Sequence, residues 1–156
     1  MRECDMIANL MQLPGETCPE GIKIKRVYAG EKNRVLDFVR ENFQEMWVNE
    51  AEYAISQLPV TCFIAVKDGE ILGFSCYDTS AKGFFGPIGV KKDLRSGGVG
   101  KALLLRTLHA MRDVGYGYAI IGWVGSAAGF YEKVVNATFI PGGEPENSVY
   151  SNMIDK

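Results

Sequence analysis

The feature that most constrains the fold is a glycine-rich corner between an apolar run and the longest helical pattern in the sequence. The run is Phe84 to Val90, the corner is Arg95-Ser96-Gly97-Gly98-Val99-Gly100, and the helical pattern extends from Val99 to Val114. A strand, a glycine corner and a helix in this order form an anion site, because the first N–H groups of a helix lack intrahelical partners and its dipole is positive there. We therefore expect an α/β fold with a local anion site.

The size and charge of the chain place this site in a single domain. The 156 residues fit one globular domain, and 47% hydrophobic residues suffice to bury one core. With 17 Lys and Arg against 19 Asp and Glu, the formal net charge is −2, so no global positive field favours a nucleic-acid partner. Any anion is expected to bind through local groups.

Cysteine usage and the first residues bear on location. The four cysteines form no C-x-x-C pair and fit a reducing compartment. Glu3 and Asp5 stand where a signal peptide carries positive charge, and no run of about 20 apolar residues follows. We expect a cytoplasmic protein that does not cross a membrane.

Residues 1–21 are predicted to form an N-terminal amphipathic helix and a linker, ahead of one domain over residues 22–156. Apolar residues recur at helical spacings between Arg2 and Leu13, and Pro14-Gly15 and Pro19-Glu20-Gly21 then interrupt the pattern. The apolar stripe suits packing on the body of the domain or on a second copy, which would make a homodimer. The sequence does not choose between them.

Further elements are predicted between this linker and the corner. They are a strand over Ile22 to Tyr28, a surface helix beginning near Glu31, a second helix capped by Asn49 and Glu52 and ended by Pro59, and a hairpin of Thr61 to Lys67 with Ile71 to Tyr77. Asp68-Gly69 tolerates positive φ and suits a type I′ hairpin turn. Pairing through this turn brings Cys62 near Ser75 and Cys76 near Thr61, so we interpret both cysteines as small core or sheet residues.

More elements are predicted after the long helix. Nearly all of Tyr118 to Val124 is apolar, as is typical of a central strand covered on both faces. A helix over Ala127 to Val135 follows, and Asn136 ends it in the left-handed conformation. Ala137 to Ile140 and Ser148 to Ile154 are interpreted as a last strand pair.

Three nucleotide motifs use a strand, a glycine corner and a helix, and two of them fail here. A Walker A loop needs Gly in place of Arg95 and a hydroxyl residue in place of Ala102. A dinucleotide fingerprint that starts at Gly98 needs a small residue where Leu103 stands.

The pattern that remains, Arg95-x-x-Gly98-x-Gly100, resembles the signature of the GNAT superfamily of acyl-CoA-dependent N-acyltransferases. The resemblance covers about residues 22–154. It implies an α/β fold with a mixed, mostly antiparallel central sheet, a bulged and splayed strand pair, and helices on both faces. It also implies an enzyme that moves an acetyl group from acetyl-CoA to a primary amine of a small molecule, such as an amino sugar, a polyamine or an amino-acid-like compound.

The resemblance also implies the coenzyme-binding residues. Main-chain N–H groups of the corner bind the pyrophosphate, with Arg95, Lys91 and Lys92 near its phosphates. The pantetheine arm lies in a V-shaped gap beside the Phe84 to Val90 strand, which Pro87 and its flanking glycines loosen. The implied set is Ile88, Gly89, Val90, Arg95, Ser96, Gly97, Gly98, Val99, Gly100 and Lys101.

For catalysis, the family often presents a tyrosine in the helix after the central strand, which is Tyr131 here. A phenol of pKa about 10 can protonate a departing thiolate whose thiol resembles Cys at about 8.5. The Phe84 to Val90 strand holds no carboxylate, so the general base stays open, as does a mechanism in which orientation suffices and solvent takes the proton. The candidate bases are Asp78, Glu45, Glu50 and Glu52.

The amine acceptor is expected between the two helices of residues 35–58 and the last hairpin. Aromatic residues there enclose a small ligand and acidic residues favour a cation, namely Trp47, Tyr53 and Tyr150 with Glu50, Glu52, Glu144 and Glu146. The Phe84 strand is also similar to GNAT units fused to some bacterial amino-sugar hydrolases. The alternative function is a non-catalytic acyl-CoA-binding sensor.

The only histidine, His109, lies in the second half of the long helix, away from the corner. No Cys, Asp or Glu completes a metal or triad spacing with it. We interpret His109 as a helix-surface residue and predict no metal.

Overall fold

The computed structural model describes residues 3–154, so the predictions that reach Met1, Arg2, Asp155 and Lys156 lie partly outside the described residues. A seven-stranded sheet forms the centre, in the spatial order β2-β3-β4-β5-β6-β1-β7. Neighbouring strands are antiparallel except β5 and β6, which run parallel. The predicted mixed, mostly antiparallel sheet is confirmed. The strands are β1 (Cys4–Asn9), β2 (Lys23–Arg26), β3 (Cys62–Lys67), β4 (Glu70–Tyr77), β5 (Phe84–Val90), β6 (Tyr118–Val124) and β7 (Thr138–Phe139).

Helices cover both faces of the sheet, as predicted. Phe74 of β4 packs on Phe43, with ring centroids 5.6 Å apart, on the face that α1 and α2 cover. A Cβ on the neighbouring Gly73 would instead meet Leu103 of α3, and successive strand residues point to opposite faces. No helix within residues 3–154 has the length and apolar character needed to cross a membrane. The helices are α1 (Lys32–Asn42), α2 (Glu45–Ile55), α3 (Val99–Asp113) and α4 (Ala128–Val135), with 3-10 turns at Leu10–Gln12, Ala29–Glu31, Lys92–Leu94, Pro145–Asn147 and Val149–Asn152.

The long helix α3 anchors one of the two apolar cores. Its leucines lie against the sheet with no solvent exposure at Leu103, Leu104, Leu105 and Leu108. Burying a side chain of this size contributes about 1.5–3 kcal/mol, so α3 holds the sheet firmly behind the glycine corner. A second core joins α1 and α2 to the other face.

The N-terminal helix prediction is wrong for the described residues. Cys4–Asn9 is strand β1, which pairs antiparallel with both β6 and β7. Met6, Ala8 and Leu10 are buried, so the residues that carry the packing alternate with the period of a strand. An isolated helix of about 12 residues is marginal in water, so pairing with β6 decides the conformation. The segment before residue 22 therefore contributes an internal strand to the sheet.

The β3–β4 hairpin forms as predicted, but its register differs by one residue. Asp68 and Gly69 take positive φ values of 50° and 78° in the turn. A bulge after Ala65 shifts the pairing, so Cys62 lies opposite Cys76, not near Ser75 as predicted. Both cysteines are fully buried and free, and burial raises the pKa of the Cys76 thiol. They act as small core residues, as we interpreted them.

Helix α2 begins earlier than the predicted capping box. Its first residue is Glu45 and its N-cap is Gln44, so Asn49 lies inside the helix and caps nothing. The chain turns from α1 into α2 through the extended Phe43, whose ring packs between Trp47 and the sheet. Aromatic packing, which a local capping pattern does not report, sets this helix start.

The predicted C-terminal strand pair is also wrong. Only Thr138–Phe139 is a strand, and its partner is β1. Residues 145–152 instead form two 3-10 turns, and the ring of Tyr150 lies directly over Gly122 of β6. The C-terminal segment therefore packs on the face of the sheet and adds no strand to it.

Candidate active site

The two parallel strands at the centre of the sheet separate after their first residues. β5 and β6 pair only at Phe84 with Ile120 and Phe85 with Ile121. The next residue, Gly86, has a φ of 119°, a backbone region that favours glycine, and it directs β5 away from β6. The separated strands open a cleft of about 820 Å³ between them.

The backbone of β5 presents hydrogen-bonding groups to this cleft. The Lys91 N–H donates to the Leu72 carbonyl across the β4–β5 ladder at 2.9 Å. Ladder bonds of an antiparallel pair alternate along each strand, so the main-chain groups of Ile88 and Val90 point to the other side, into the cleft. Arg95 Nε donates to the Val90 carbonyl at 3.3 Å, so this carbonyl has a partner on the cleft side. The N–H groups of Ile88 and Val90 face the same side.

Gly89 has a different part in the same strand. A Cβ on Gly89 would lie 2.5 Å from the ring of Phe43, so only glycine lets this ring pack against β5. All three β5 residues of the predicted coenzyme set line the cleft, and Gly89 is the one that also admits the Phe43 ring.

The glycine corner delivers a cluster of free amides to one end of the cleft. Gly98 has a φ of 87° and its carbonyl accepts from Ala102 N at 3.1 Å, which starts α3. Within the described chain no protein acceptor takes the N–H groups of Ser96, Gly98, Val99, Gly100 or Lys101. The Gly97 N–H donates to the Leu94 carbonyl at 3.3 Å, so it is the one predicted amide with a partner.

Basic side chains near the corner are arranged unequally. All three of Lys92, Arg95 and Lys101 are exposed, but Arg95 alone of them lines the cleft. Lys91 Nζ lies 3.9 Å from Glu70 Oε2, on a largely exposed pair that contributes little to stability. Arg95 is therefore the charged side chain best placed to reinforce the amides.

Tyr131 lies on α4, the helix that follows β6, and lines the cleft. Its ring is 6% exposed and meets Phe85 and Phe130 at centroid distances of 6.1 Å and 5.2 Å. Burial, and to a lesser extent the nearby Tyr150, raises the pKa of Tyr131 well above its usual 10. A raised pKa favours the protonated hydroxyl, which is the form that can donate a hydrogen bond.

The far end of the cleft contains a carboxylate in a reactive setting. Glu50 of α2 lines the cleft and accepts a hydrogen bond from Ser80 Oγ at 2.6 Å. Burial raises the pKa of Glu50 above its ordinary 4.5, and the bond from Ser80 partly offsets this rise. A carboxylate that is harder to ionise is a stronger base once ionised.

The other candidate bases lie elsewhere. Asp78 accepts from the Tyr116 hydroxyl and from the Gly83 N–H, so it holds a turn. Glu52 lies 3.9 Å from Lys32 on the surface, and neither it nor the exposed Glu45 lines the cleft.

An aromatic wall stands beside Glu50, and part of it was not predicted. Trp123 stacks on Tyr150, with ring centroids 5.0 Å apart and planes inclined by 22°. The β6 backbone bulges at this point, and Trp123 takes a φ of 57° that a bulky residue rarely adopts. The carboxylate of buried Asp5 accepts the Trp123 N–H at 3.0 Å and so holds the bulge.

Sequence signals for Trp123, Asp5 and Ser80 are weak. The only hint is an acidic residue at an apolar-flanked position of β1, because a buried carboxylate requires a partner. Its partner is 118 residues away and no local pattern announces it.

The other residues predicted around the acceptor are divided. Trp47 and Tyr150 line the cleft, whereas Tyr53 lies outside it and is 53% exposed. Glu144 accepts a hydrogen bond from the Asn147 side chain, and neither it nor Glu146 lines the cleft.

His109 proves to be more than a surface residue. Its Nε2 lies 2.7 Å from the Pro14 carbonyl, and its Nδ1 lies 3.0 Å from Arg112 Nη2. It ties the segment after β1 to α3. Among residues 3–154 no three His, Cys, Asp or Glu side chains come together as a metal site would require.

A split parallel pair beside a free helix N-terminus defines a class of α/β protein that takes a long ligand with an anionic end. A model of the acetyltransferase (GNAT) family matches residues 31–136, more than half of the chain. The chain therefore belongs to the GNAT family.

Solved structures share the fold. A GCN5-related N-acetyltransferase from Sphaerobacter thermophilus superimposes with a TM-score of 0.70 at 22% identity, over 88% of this chain and 48% of that one. A GCN5-related glucosamine N-acetyltransferase region of a fungal multi-domain GH3 β-N-acetylglucosaminidase gives 0.69 at 14% identity, over 88% and 19%. An aminoglycoside acetyltransferase from an uncultured soil metagenomic sample, in complex with sisomicin, gives 0.52 at 14% identity, over 72% and 84%.

The chain thus spans about half the length of the first of these proteins and about a fifth of the second. No curated protein sequence matches the chain.

Proposed function

We propose that this protein transfers an acetyl group from acetyl-CoA to a primary amine of a small molecule, by direct attack within a ternary complex. The observation that carries the proposal is the arrangement of three features around one cleft. These are the free amides at the start of α3, the open main-chain edge of β5, and a base and a donor, Glu50 and Tyr131, that line the same space.

The residues present fit coenzyme A. A diphosphate needs several N–H donors and positive potential, which the amides of Gly98 to Lys101 and the side chain of Arg95 provide. The amides of Ile88 and Val90 suit the amide groups of a pantetheine arm. Bound acetyl-CoA supplies an activated thioester carbonyl.

Glu50 is the proposed general base. Among the four carboxylates considered from the sequence, it is the one that lines the cleft, and burial, which raises its pKa, makes it a stronger base once ionised. The ammonium group first loses one proton to solvent, and the free amine then attacks. Glu50 accepts the second proton, which the nitrogen loses as the new C–N bond forms, and releases it to solvent after the reaction. Ser80 orients the carboxylate through its hydrogen bond.

Tyr131 is the proposed general acid. Its neutral phenol donates to the sulfur as the C–S bond breaks, and the proton is restored to Tyr131 from solvent. A neutral phenol that points at the sulfur can stabilise the negative charge that develops on it in the transition state, so Tyr131 does not have to be ionised beforehand. The aromatic contacts with Phe85 and Phe130 hold the ring in place.

Amino sugars are the first acceptors to test. One structural neighbour is a glucosamine N-acetyltransferase region and another is an aminoglycoside acetyltransferase, and both contain this fold. Similarity of fold alone leaves polyamines and amino-acid-like amines in the same panel.

The decisive experiment measures thiol release from acetyl-CoA with a panel of amines. Tyr131→Phe should lower kcat by about 10²–10⁴-fold while affinity for coenzyme A is kept, because only the donor of the proton is lost. Tyr118→Phe is the matched control, since Tyr118 is 58% exposed at the start of β6 and outside the cleft.

Two outcomes would contradict the proposal. If coenzyme A stabilises the protein thermally but no amine releases thiol, the chain acts as an acyl-CoA sensor. If Tyr131→Phe and Tyr118→Phe behave alike, Tyr131 is not the acid.

A further inference from the structure

We infer that the Glu50 end of the cleft is a subsite for a primary ammonium group carried on an uncharged ring, and that it rejects amines that also bear an anionic group. This inference rests on the proposed function, since it describes the acceptor of that same site. It narrows the acceptor by chemistry that the cleft residues display.

The first support is the shape of the wall. Trp123 and Tyr150 are stacked and form a continuous aromatic surface. Trp47 of α2 lines the same cleft and packs on Phe43 and Phe74. Flat aromatic surfaces recognise rings with an apolar face, either aromatic rings or the C–H face of a sugar. A flexible straight chain gains much less from such a wall.

The second support is that neighbouring backbone and side-chain groups hold this aromatic wall in place. Trp123 adopts its left-handed backbone only at a bulge in β6, and buried Asp5 of β1 supplies the acceptor for its N–H. Gly122 leaves room for the ring of Tyr150, because a Cβ there would lie 2.5 Å from that ring. Strain that the surroundings maintain in this way is typical of functional sites.

The third support is the separation of charge along the cleft. Glu50 and Glu3 line it, and both Glu50 and Asp5 raise the pKa of Tyr150 through their negative charge, after the larger effect of burial. Among the described residues that line the cleft, Arg95 alone is basic, and it stands at the corner with the free amides. The acceptor end therefore attracts a cation, and no basic side chain of the described lining stands there to pair with an anion.

An anionic substituent would face two costs at this end. It would lose water on entering a half-buried, aromatic space, and it would meet carboxylates of like charge. An ammonium group is instead attracted to this end, because the Glu50 carboxylate lies in the same space and gains a positively charged partner when the amine binds.

The experiment uses the two tryptophans of the chain as reporters. Trp47 and Trp123 are its only tryptophans and both line the cleft, so quenching of their fluorescence reports occupancy of the subsite without catalysis. The protein, saturated with coenzyme A, is titrated with matched pairs: glucosamine and its phosphomonoester, and phenethylamine and phenylalanine. Butylamine represents an amine without a ring.

At least one uncharged-ring amine should bind about tenfold or more tightly than its anionic counterpart and than butylamine. The sugar pair and the aromatic pair then distinguish the two kinds of ring. Equal or tighter binding of the anionic members or of butylamine overturns the inference, as does an absence of quenching by all five amines.

Thiol release is recorded with the same amines and acetyl-CoA. Selective binding without thiol release contradicts the proposed function and keeps the inference. Efficient acetylation of the anionic members keeps the function and contradicts the inference.

Gly122→Ala tests the wall itself. The new methyl group displaces Tyr150 from Trp123, so affinity for the preferred ring amine should fall by about two- to tenfold, while affinities for butylamine and coenzyme A stay the same. Gly117→Ala is the control, because a Cβ at Gly117 meets no atom within 4 Å. Identical affinities in the two variants would show that Tyr150 takes no part.

Discussion

At the scale of single residues, the environment of a carboxylate decides whether it is reactive. Glu50 and Glu52 lie two positions apart on α2, yet Glu50 enters a half-buried cleft and Glu52 pairs with Lys32 at the surface. Burial disfavours the charged form of a carboxyl group and so raises the pKa of Glu50. Two positions are about half a helical turn, which is enough to separate a candidate base from a surface charge.

Ser80→Ala should move the pH profile of the enzyme. The bond from Ser80 lowers the pKa of Glu50 against the larger, raising effect of burial. Its loss raises that pKa further, so the ascending limb of kcat/KM should shift to higher pH. Thr79→Ala is the control, because Thr79 Oγ1 donates to the Tyr77 carbonyl. A limb that stays in place, or moves to lower pH, would exclude Glu50 as the base.

The same raised pKa predicts an effect on stability. A carboxyl group that is harder to ionise in the folded state favours folding below its unfolded pKa, and this contribution is lost as the pH rises through the folded value. Glu50→Gln should therefore raise Tm relative to wild type at alkaline pH and leave it nearly unchanged in acid. Thermal unfolding across pH measures the difference, and a Tm gain confined to acid would contradict the assignment.

At the scale of elements, the anion corner depends on a single left-handed residue that begins α3. Gly98 turns the chain so that the next three amides point outward, and its Cβ position would contact Pro19 at 3.4 Å. A helix start that lacks a side-chain cap exposes these donors. The absence of a capping side chain is what leaves the amides free for a ligand.

Gly98→Ala should weaken coenzyme A binding beyond its cost to stability. Forcing a residue with a side chain into this backbone region costs about 1–2 kcal/mol. Gly115→Ala carries the same kind of cost at the other end of α3, where φ is 114° and a Cβ meets nothing within 4 Å. Calorimetry with coenzyme A should show lost affinity in the first variant and normal affinity in the second. Equal affinities would contradict the pyrophosphate assignment.

At the scale of the whole molecule, the cleft exists because the sheet is joined weakly at its centre. β5 and β6 share only two residue pairs, while the apolar core beneath α3 and α4 holds both sides of the gap together. Strand β1 stabilises the far side, since it lies between β6 and β7 and carries Asp5. The N-terminal segment is thus part of the site as well as of the core.

Two methionines distinguish this strand from the helix that the spacing predicted. Met6 is fully buried and Met11 is 63% exposed, although both belong to the predicted helical stripe. Met6→Ala should lower the free energy of unfolding by about 2–5 kcal/mol, and Met11→Ala should change it by less than about 0.5 kcal/mol. Chemical denaturation measures both, and similar losses in the two variants would favour the helix.

The sequence alone determined the elements whose signals are local. The bounds of β5 and β6, the Asp68-Gly69 turn and the end of α4 at Asn136 were predicted correctly, because apolar runs and left-handed residues act over a few positions. The pattern of the glycine corner also indicated the family, and the family model confirms it. This pattern is local, because a helix start with unpaired amides requires only residues that are close in the sequence.

Only the tertiary structure decided what depends on distant partners. β1 became a strand because β6 accepts it, the Cys62 register followed a bulge, and Trp123 faces the cleft because Asp5 binds its amide from 118 residues away. Short apolar segments fit a helix or a strand equally well until a neighbour satisfies their backbone groups. The glycine corner at one end of the cleft is therefore readable from the sequence, whereas the Glu50 end is assembled from distant parts of the chain.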